Sequence, residues 1–540
     1  MEALHFNNSV LTTERNAVVL RLTPRNRIGG EALRIAYTTV IGIKGNKSDV
    51  RDIVVPPGVT EIRSKALKNC CELTSLTLPD TLTSIGKCAL VGCCELTSLT
   101  LPGSVITIGD CAFNGCSQLA SLTLPDTLHS VSEGICAGCT GLRSLTLPST
   151  LTSVGDDAFS DCFCLTSLTL PKTLTSIGDG AFGDCRGITS LILPVTVTHV
   201  GSAAFRDCVG LARLVLPGTL TGIGPAAFCR CSGLTSLKLP RRLTRVSNST
   251  FSKCAGLTSI TLPEGLNSLE SSAFRECSGL ISLKLPTTLT NVGDDAFNRC
   301  NALTSLTLPD AITNVGKNAF YRCSGLTSFT LPEGLTTIAT GTFHECSGLT
   351  SLTLPSTLTT VGRFACVDCS SIISLTLPES LVGIGWAAFC SCSGLTSLTL
   401  PRALTSVDFE AFRNCTALTS LSLPLTLTII GQRAFGGCCG LTSLTLPNRL
   451  TNVGLEAFQD CTGLASVVFA PRVPTAFIAW AVGSSRHRTN WQLTTLKQTR
   501  NVLHLITQLA LERRDIRSVD RSGEKRVFGG CTGLNGTECW

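Results

Sequence analysis

Charge and aromatic rings are scarce in this sequence of 540 residues, of which 15% are charged and 5% are aromatic. It also lacks an apolar stretch of about 20 residues, the length that a bilayer-spanning helix needs. The net charge of +7 comes from the two ends, because residues 1–55 and 472–540 hold its excess of Lys and Arg. The middle is close to neutral, so we expect no nucleic acid as the main ligand, since phosphate contacts need clustered Lys and Arg.

Motifs for catalysis and for cofactor binding are missing as well. The six histidines are scattered along the chain, whereas nucleophilic catalysis needs a Ser or Cys beside a base and an orienting acid. No paired carboxylates and no Gly-rich phosphate loop occur. We therefore expect no enzyme, no cofactor and no resident metal ion.

A targeting segment is not visible either. Residues Met1 to Thr13 lack a basic start followed by an apolar run of seven or more residues. The sequence therefore predicts a cytoplasmic or nuclear protein without a membrane span, and the cell surface is the alternative.

What the sequence does contain is two ladders with one common step. A proline recurs every 23 residues from Pro56 to Pro447, and a cysteine recurs every 23 residues from Cys70 to Cys461. Each ladder has eighteen members. Because the prolines and the cysteines keep the same spacing over this length, each stretch of 23 residues is one structural unit, as in solenoid proteins.

One unit begins at Leu165. Leu168 and Leu170 alternate with polar residues, which is the period of a strand with one buried face. Pro171 ends this strand because proline has no N–H to donate. A second short extended piece and a turn at Gly178 follow, and the spacing then predicts about one helical turn over residues 180–184. Its inward residues are Ala181, Phe182 and Cys185.

Stacking explains how such a unit becomes stable. A single 23-residue coil cannot bury its own apolar side, but stacked coils pair their strands about 4.8 Å apart and share one core. The sequence predicts a right-handed parallel β-rich solenoid of about eighteen coils, on the order of 85 Å long, with short helical turns on one side. Phenylalanine fills one inward position in fourteen coils, and the exceptions are Leu67, Leu90, Cys136 and Cys366.

The repeat LxxLxLPxxLxxIGxxAFxxC resembles the BspA-type leucine-rich repeats of bacterial surface proteins and single-celled eukaryotes. The resemblance covers residues from Asp52 to Pro471. It implies a right-handed solenoid and a role in protein recognition or adhesion. It supplies no catalytic residue, no cofactor and no named partner.

Both ends of the chain depart from the repeat. Short strands are expected at Val18 to Leu22 and at Ile35 to Ile43, and helical spacing begins near Asn490. The segment from Phe528 to Leu534 copies part of a repeat. The predicted organisation is an N-terminal cap (1–51), the leucine-rich repeat solenoid (52–471), a helical C-terminal cap (472–518) and a loose tail with a partial repeat remnant (519–540).

The cysteine ladder is interpreted as a row of buried, free thiols, because all eighteen members share one environment and free Cys packs as a small apolar group. Cys136 and Cys139 have the spacing of a metal or redox site, and so do Cys366 and Cys369. Both pairs include a cysteine in the phenylalanine position, which favours core packing. The equivalent residues Cys88 and Cys111 could form an oxidised pair between adjacent coils.

The outward face of the first strand carries two rows of hydroxyls. One row is Ser in seventeen of eighteen coils and the other is Thr in twelve. Protein binding, ice or carbohydrate binding, and simple solubilisation would all use such a face. A specific site needs variation, so the candidate partner-binding residues are breaks in these rows together with two arginines just after the strand of Lys238. The breaks are Ile192, Arg213, Val215, Lys238 and Lys284, and the arginines are Arg241 and Arg242.

The predicted function is a non-enzymatic protein–protein interaction scaffold with another protein as its partner. The alternatives are a cell-surface adhesin or an ice- or carbohydrate-binding hydroxyl array. Tolerated drift is the other interpretation of the broken rows. A second basic patch follows the repeats, and its charges are also typical of a solvated helix face: Arg486, Arg488, Lys497 and Arg500.

Overall fold

A computed structural model describes residues 50–469 without a break, together with residues 5–6, 9–14, 17–21, 32–36, 39–44, 47 and 492–494. The continuous part is a stack of eighteen coils with a step of 23 residues. We number the coils from the first strand, so that coil 1 begins at Asp52 and coil 18 begins at Ser443. Successive coils pair in parallel, which confirms the predicted leucine-rich repeat solenoid.

The first strand of each coil lies before the proline and stacks into the first ladder. Equivalent residues are partners, so Ser98 pairs with Ser121 and Ser121 pairs with Ser144. In coils 6, 11, 12 and 15 the segment is not a full strand, and single bridges join Ser282 to Ser305 and Ser374 to its neighbours. The strands are Asp52–Val54, Ser75–Thr77, Ser98–Thr100, Ser121–Thr123, Ser144–Thr146, Ser190–Ile192, Arg213–Val215, Ser236–Lys238, Ser259–Thr261, Ser328–Thr330, Ser351–Thr353, Ser397–Thr399, Ser420–Ser422, Ser443–Leu446 and Ser466–Phe469.

The second ladder lies after the proline and consists of two-residue strands. In most of these strands the first residue is polar and points outward, and the second is aliphatic and points inward, as in Ser153 and Val154. The strands are Glu61–Ile62, Ser84–Ile85, Thr107–Ile108, Ser130–Val131, Ser153–Val154, Ser176–Ile177, His199–Val200, Gly222–Ile223, Arg245–Val246, Ser268–Leu269, Asn291–Val292, Asn314–Val315, Thr337–Ile338, Thr360–Val361, Gly383–Ile384, Ser406–Val407, Ile429–Ile430 and Asn452–Val453.

The third side of each coil is a pair of turns, and residues 50–469 contain no helix. Alternate N–H groups explain the difference from the predicted helical turn. In coil 9 the N–H of Phe251 donates to Ala273 O in the next coil at 3.0 Å, whereas the N–H of Ser252 donates to Ser249 O in its own coil. Two residues per coil, such as Ser249 and Lys253, have φ near +60°. Backbone in the left-handed region breaks a right-handed helix, so the stacking contacts flatten the segment into a third ladder.

The interior is filled by the inward residues of all three sides. Nine consecutive phenylalanines from Phe159 to Phe343 stack with ring centroids 5.4 to 5.9 Å apart and nearly parallel planes. The eighteen cysteines of the ladder are buried, as predicted. Each cysteine of the ladder from Cys93 to Cys461 donates its thiol hydrogen to a backbone carbonyl of the preceding coil, as Cys254 Sγ does to Phe228 O at 3.1 Å. The environment that the ladder cysteines were predicted to share therefore includes the same hydrogen bond in successive coils.

Before the first coil, five strands form an antiparallel meander, and the last of them pairs in parallel with Glu61–Ile62. These strands are His5–Phe6, Ser9–Glu14, Ala17–Arg21, Ala32–Ala36 and Thr39–Lys44. After the last coil, Gln492–Thr494 adds a strand beside Ser466–Phe469, at a place where the sequence predicts a helix. The other residues of the predicted C-terminal cap and tail lie outside the described part of the chain.

Candidate binding surface

The outward face of the first ladder is the broadest regular surface of the solenoid. In most strands the central residue is buried and its two neighbours are exposed, as in Ser121 and Thr123 around Leu122. Because equivalent residues are partners, the Ser and Thr positions form two straight rows along the stack. A change in one coil is therefore placed directly beside the equivalent residue of the next coil.

Many other threonines of the repeat have a structural task. Thr258, at the residue before the first strand, donates to Thr235 O in the previous coil at 3.0 Å. Thr288, at the corner after the proline, donates to Leu266 O at 2.7 Å. These hydroxyls satisfy backbone carbonyls at the edges of the ladders. Only part of the many threonines in the sequence therefore contribute a hydroxyl to the exposed face of the first ladder.

The predicted binding residues of coils 7 and 8 are in contact across the first ladder. Ile192 pairs with Val215, and Ser190 pairs with Arg213. Ile192 and Val215 are 59% and 38% exposed, so two aliphatic side chains project side by side into solvent. Arg213 is exposed next to them, in the row that is otherwise Ser from Ser75 to Ser466.

The remaining predicted residues continue this surface. Lys238 in coil 9 and Lys284 in coil 11 are exposed in the Thr row and are separated by Thr261. Arg241 and Arg242 lie in the exposed turn that joins the two ladders. Within the described residues none of the side chains of Arg213, Lys238, Arg241, Arg242 and Lys284 has an ion-pair partner. Their charges are therefore available to an external group.

Two exposed aliphatic residues beside this surface were missed from the sequence. Val195, 74% exposed, follows Pro194 at the position equivalent to Arg241, and Ile281, 52% exposed, precedes the segment of Lys284. Alignment of the residue after each proline would have found Val195. We call the whole set the basic–apolar patch: Ile192, Val195, Arg213, Val215, Lys238, Arg241, Arg242, Ile281 and Lys284.

The second basic patch predicted at Arg486, Arg488, Lys497 and Arg500 lies outside the described residues.

Within the part of the chain that the structure describes, no helix is long and apolar enough to span a membrane. No group of three or more His, Cys, Asp or Glu residues in that part is arranged to hold a metal ion.

The cysteine pairs with metal-like spacing are part of the core. Cys136 and Cys366 are fully buried in the phenylalanine position. Burial raises the pKa of the Cys136 thiol, which keeps it in the neutral form that packs like an apolar group. Cys139 donates to Phe113 O at 3.2 Å, as other ladder cysteines do. Cys88 and Cys111 are half-buried free thiols.

Two solved structures of leucine-rich repeat proteins are similar to this chain. A crystal structure of a leucine-rich repeat protein from Bacteroides ovatus has 25% sequence identity and a TM-score of 0.52, and the match covers 83% of this chain and 95% of that chain. A leucine-rich cell surface protein from Faecalibacterium prausnitzii has 22% identity and a TM-score of 0.39, over 65% of this chain and 94% of that one. No curated protein matches the chain.

The family model described as the BspA-type leucine-rich repeat region matches four overlapping segments, residues 45–166, 152–281, 267–396 and 382–476. Together these segments contain all eighteen coils. The match agrees with the parallel ladders, the buried cysteines and the phenylalanine stack. The chain therefore belongs to the family of BspA-type leucine-rich repeat proteins.

Proposed function

We propose that this protein is a non-enzymatic, cytoplasmic or nuclear scaffold that binds another protein through the basic–apolar patch. The observation that carries the proposal is the pairing of Ile192 with Val215 in the middle of a polar sheet, beside Arg213. The centre of a protein interface is more apolar than the rest of the surface, and Arg is enriched in interfaces. The unpaired Lys and Arg side chains around them favour an acidic surface on the partner.

The size of the patch fits one docking element. It spans coils 7 to 11, about 19 Å at 4.8 Å per coil. An extended segment of about six residues covers that length. The surrounding Ser and Thr rows would then form the polar rim that contacts such a segment more weakly.

The experiment is affinity capture with the full chain and with a variant in which five residues are changed to those of the other coils. The changes are Ile192→Thr, Arg213→Ser, Val215→Thr, Lys238→Thr and Lys284→Thr. Each introduces the residue that most coils carry at that position, so we expect the fold to be kept. We expect proteins captured by the native chain to be depleted about tenfold or more on the variant, measured by quantitative mass spectrometry.

A transplanted patch is the matched control. The variant receives the five original side chains at the same spacing in coils 2 to 6, through Thr77→Ile, Ser98→Arg, Thr100→Val, Thr123→Lys and Thr169→Lys. Recovery of the lost proteins would show that this constellation is sufficient for binding. Equal capture by the native chain and the five-residue variant would overturn the proposal.

A further inference from the structure

A second departure from the repeat lies on the turn side of coils 12 to 16. Five ring-bearing side chains there touch in sequence along the stack, with centroids 5.0 to 6.4 Å apart. Within residues 50–469 the only Tyr and the only Trp belong to this row. We call it the aromatic ridge: Tyr321, His344, Phe364, Trp386 and Phe409.

The ring-bearing residues of the ridge differ from the residues at the equivalent positions of most other coils. The position of Trp386 and Phe409 carries Asp156, Asp179 and Asp294 elsewhere. Phe364 has φ +56°, a left-handed conformation that is strained for a bulky residue and that the equivalent Gly180 adopts without a steric penalty. Core packing explains none of these rings, because Trp386 is 39% exposed and Phe364 and Phe409 are half-buried at the surface.

Beside the ridge a shallow groove crosses coils 14 to 17. Its lining includes Gly383, Ile384, Val407, Asp408 and Ile429. Trp386 and Phe409 directly follow the lining residues Gly385 and Asp408 along the chain, so the ridge and the groove are adjacent. Gly383 provides the space, because a Cβ there would meet only the Thr360 Cγ2 atom, at 3.4 Å. Two exposed aliphatic side chains accompany the groove, since the lining residue Ile429 is 42% exposed and Val382, next to Gly383 in the chain, is 52% exposed.

One carboxylate faces solvent in this apolar setting. Asp408 takes the place of a turn glycine that twelve coils contain, and its Oδ1 accepts the Phe409 N–H at 2.7 Å. It has no ion-pair partner within residues 50–469. Among residues 50–469, arginine side chains lie over the rings of Phe163 and Tyr321, whereas no Lys or Arg of these residues lies over the ring of Trp386 or Phe409.

From this charge complementarity we propose that the groove and the aromatic ridge bind an extended peptide that carries a lysine or arginine beside an apolar side chain. The cation lies against Trp386 and Phe409 and pairs with Asp408, since aromatic faces attract cations and Trp does so most strongly. The apolar neighbour occupies the space above Gly383, between Val382 and Ile429. The groove spans about 14 Å, which is about four extended residues. This surface selects the opposite charge to the basic–apolar patch and does not depend on it.

The experiment uses fluorescence anisotropy with a labelled peptide, Gly-Leu-Lys-Phe-Lys-Leu-Gly, and the full chain. Three variants introduce residues that other coils carry at the same positions: Trp386→Ser, Gly383→Asn and Asp408→Gly. We expect the first two to weaken binding about tenfold or more. Asp408→Gly should weaken it about threefold to tenfold and reduce its salt dependence, because it removes the one charge pair.

Asn248→Ser in coil 9 is the control, because it introduces the same residue as Trp386→Ser at the equivalent position, away from the ridge. Circular dichroism verifies that each variant keeps the fold. Unchanged binding by Trp386→Ser and Gly383→Asn would overturn the proposal. Equal binding of a peptide with Glu in place of Lys would overturn it too, and so would Trp386-dependent self-association in sedimentation, which would assign the ridge to a second copy of the chain.

Discussion

The inward rows and the outward rows of this solenoid obey different rules. Inside, an unbroken run of phenylalanines extends from Phe159 to Phe343, and the cysteine position does not change in eighteen coils. Outside, the solenoid carries Lys238 where most coils carry Thr, and Trp386 where several other coils carry Asp. An inward residue contacts its own equivalents above and below, so a change in one coil disturbs three. An outward residue meets solvent, so core packing does not account for a departure there, which makes outward departures the informative positions.

The reactivity of thiols is the largest expected difference between the two environments. Burial raises the pKa of ladder thiols such as Cys254, and the side chain has no access to solvent. Cys71 and Cys439 are exposed. We expect iodoacetamide to label these two about a thousandfold faster or more, because a ladder cysteine reacts only after its coils open. Peptide mapping over time measures the rates, and in denaturant all sites should react alike. Equal native rates at Cys254 and Cys439 would mean that the interior is not closed.

Removal of a ring from the inward stack should cost the most stability. Phe251 is fully buried, with ring centroids 5.9 Å from Phe228 and 5.7 Å from Phe274. Phe251→Ala should lower the free energy of unfolding by about 3–5 kcal/mol, measured by denaturant titration. Phe163→Ala is the outward control, because this half-buried ring only supports Arg186, 4.6 Å from its centroid. It should cost about 1 kcal/mol or less. Equal losses would contradict the distinction between inward and outward rows.

The smallest effect concerns an outward charge network next to the aromatic ridge. Burial alone would raise the pKa of Glu345, but hydrogen bonds from Arg322 at 2.7 Å and from the Tyr321 hydroxyl at 2.8 Å lower it. A carboxyl whose pKa is lower in the folded state stabilises the fold above its ordinary pKa, and this contribution disappears as the pH falls through the lowered value. Glu345→Gln should therefore reduce the loss of stability on acidification, by well under 1 kcal/mol at this partly exposed site. Denaturant titrations at neutral and acidic pH measure it, and an unchanged pH dependence would contradict the assignment.

Much of the fold followed from period alone. The alternation read at Leu168 and the proline that ends each strand predicted the first ladder, although the segment around Leu168 itself forms no strand. The shared cysteine position predicted a buried row. The helical turn over residues 180–184 was wrong in detail, because local spacing cannot show that the N–H of Phe182 donates to Ala204 O in the next coil. The predicted binding residues were found as breaks in rows, and the structure shows that Ile192 and Val215 are neighbours. Val195 was missed because the residues after the proline were considered only in the coil of Lys238, where they are Arg241 and Arg242.

The sequence by itself determined the coil length, the inward residues and the places where the surface departs from the repeat, since a fixed step of 23 residues places equivalent side chains in line. Only the tertiary structure decided which departures share a surface and what they face. Phe364, Trp386 and Phe409 occupy two different positions of the repeat, and they meet because turns with left-handed residues bring those positions to one edge. Contacts between coils set that geometry, and no single repeat contains them.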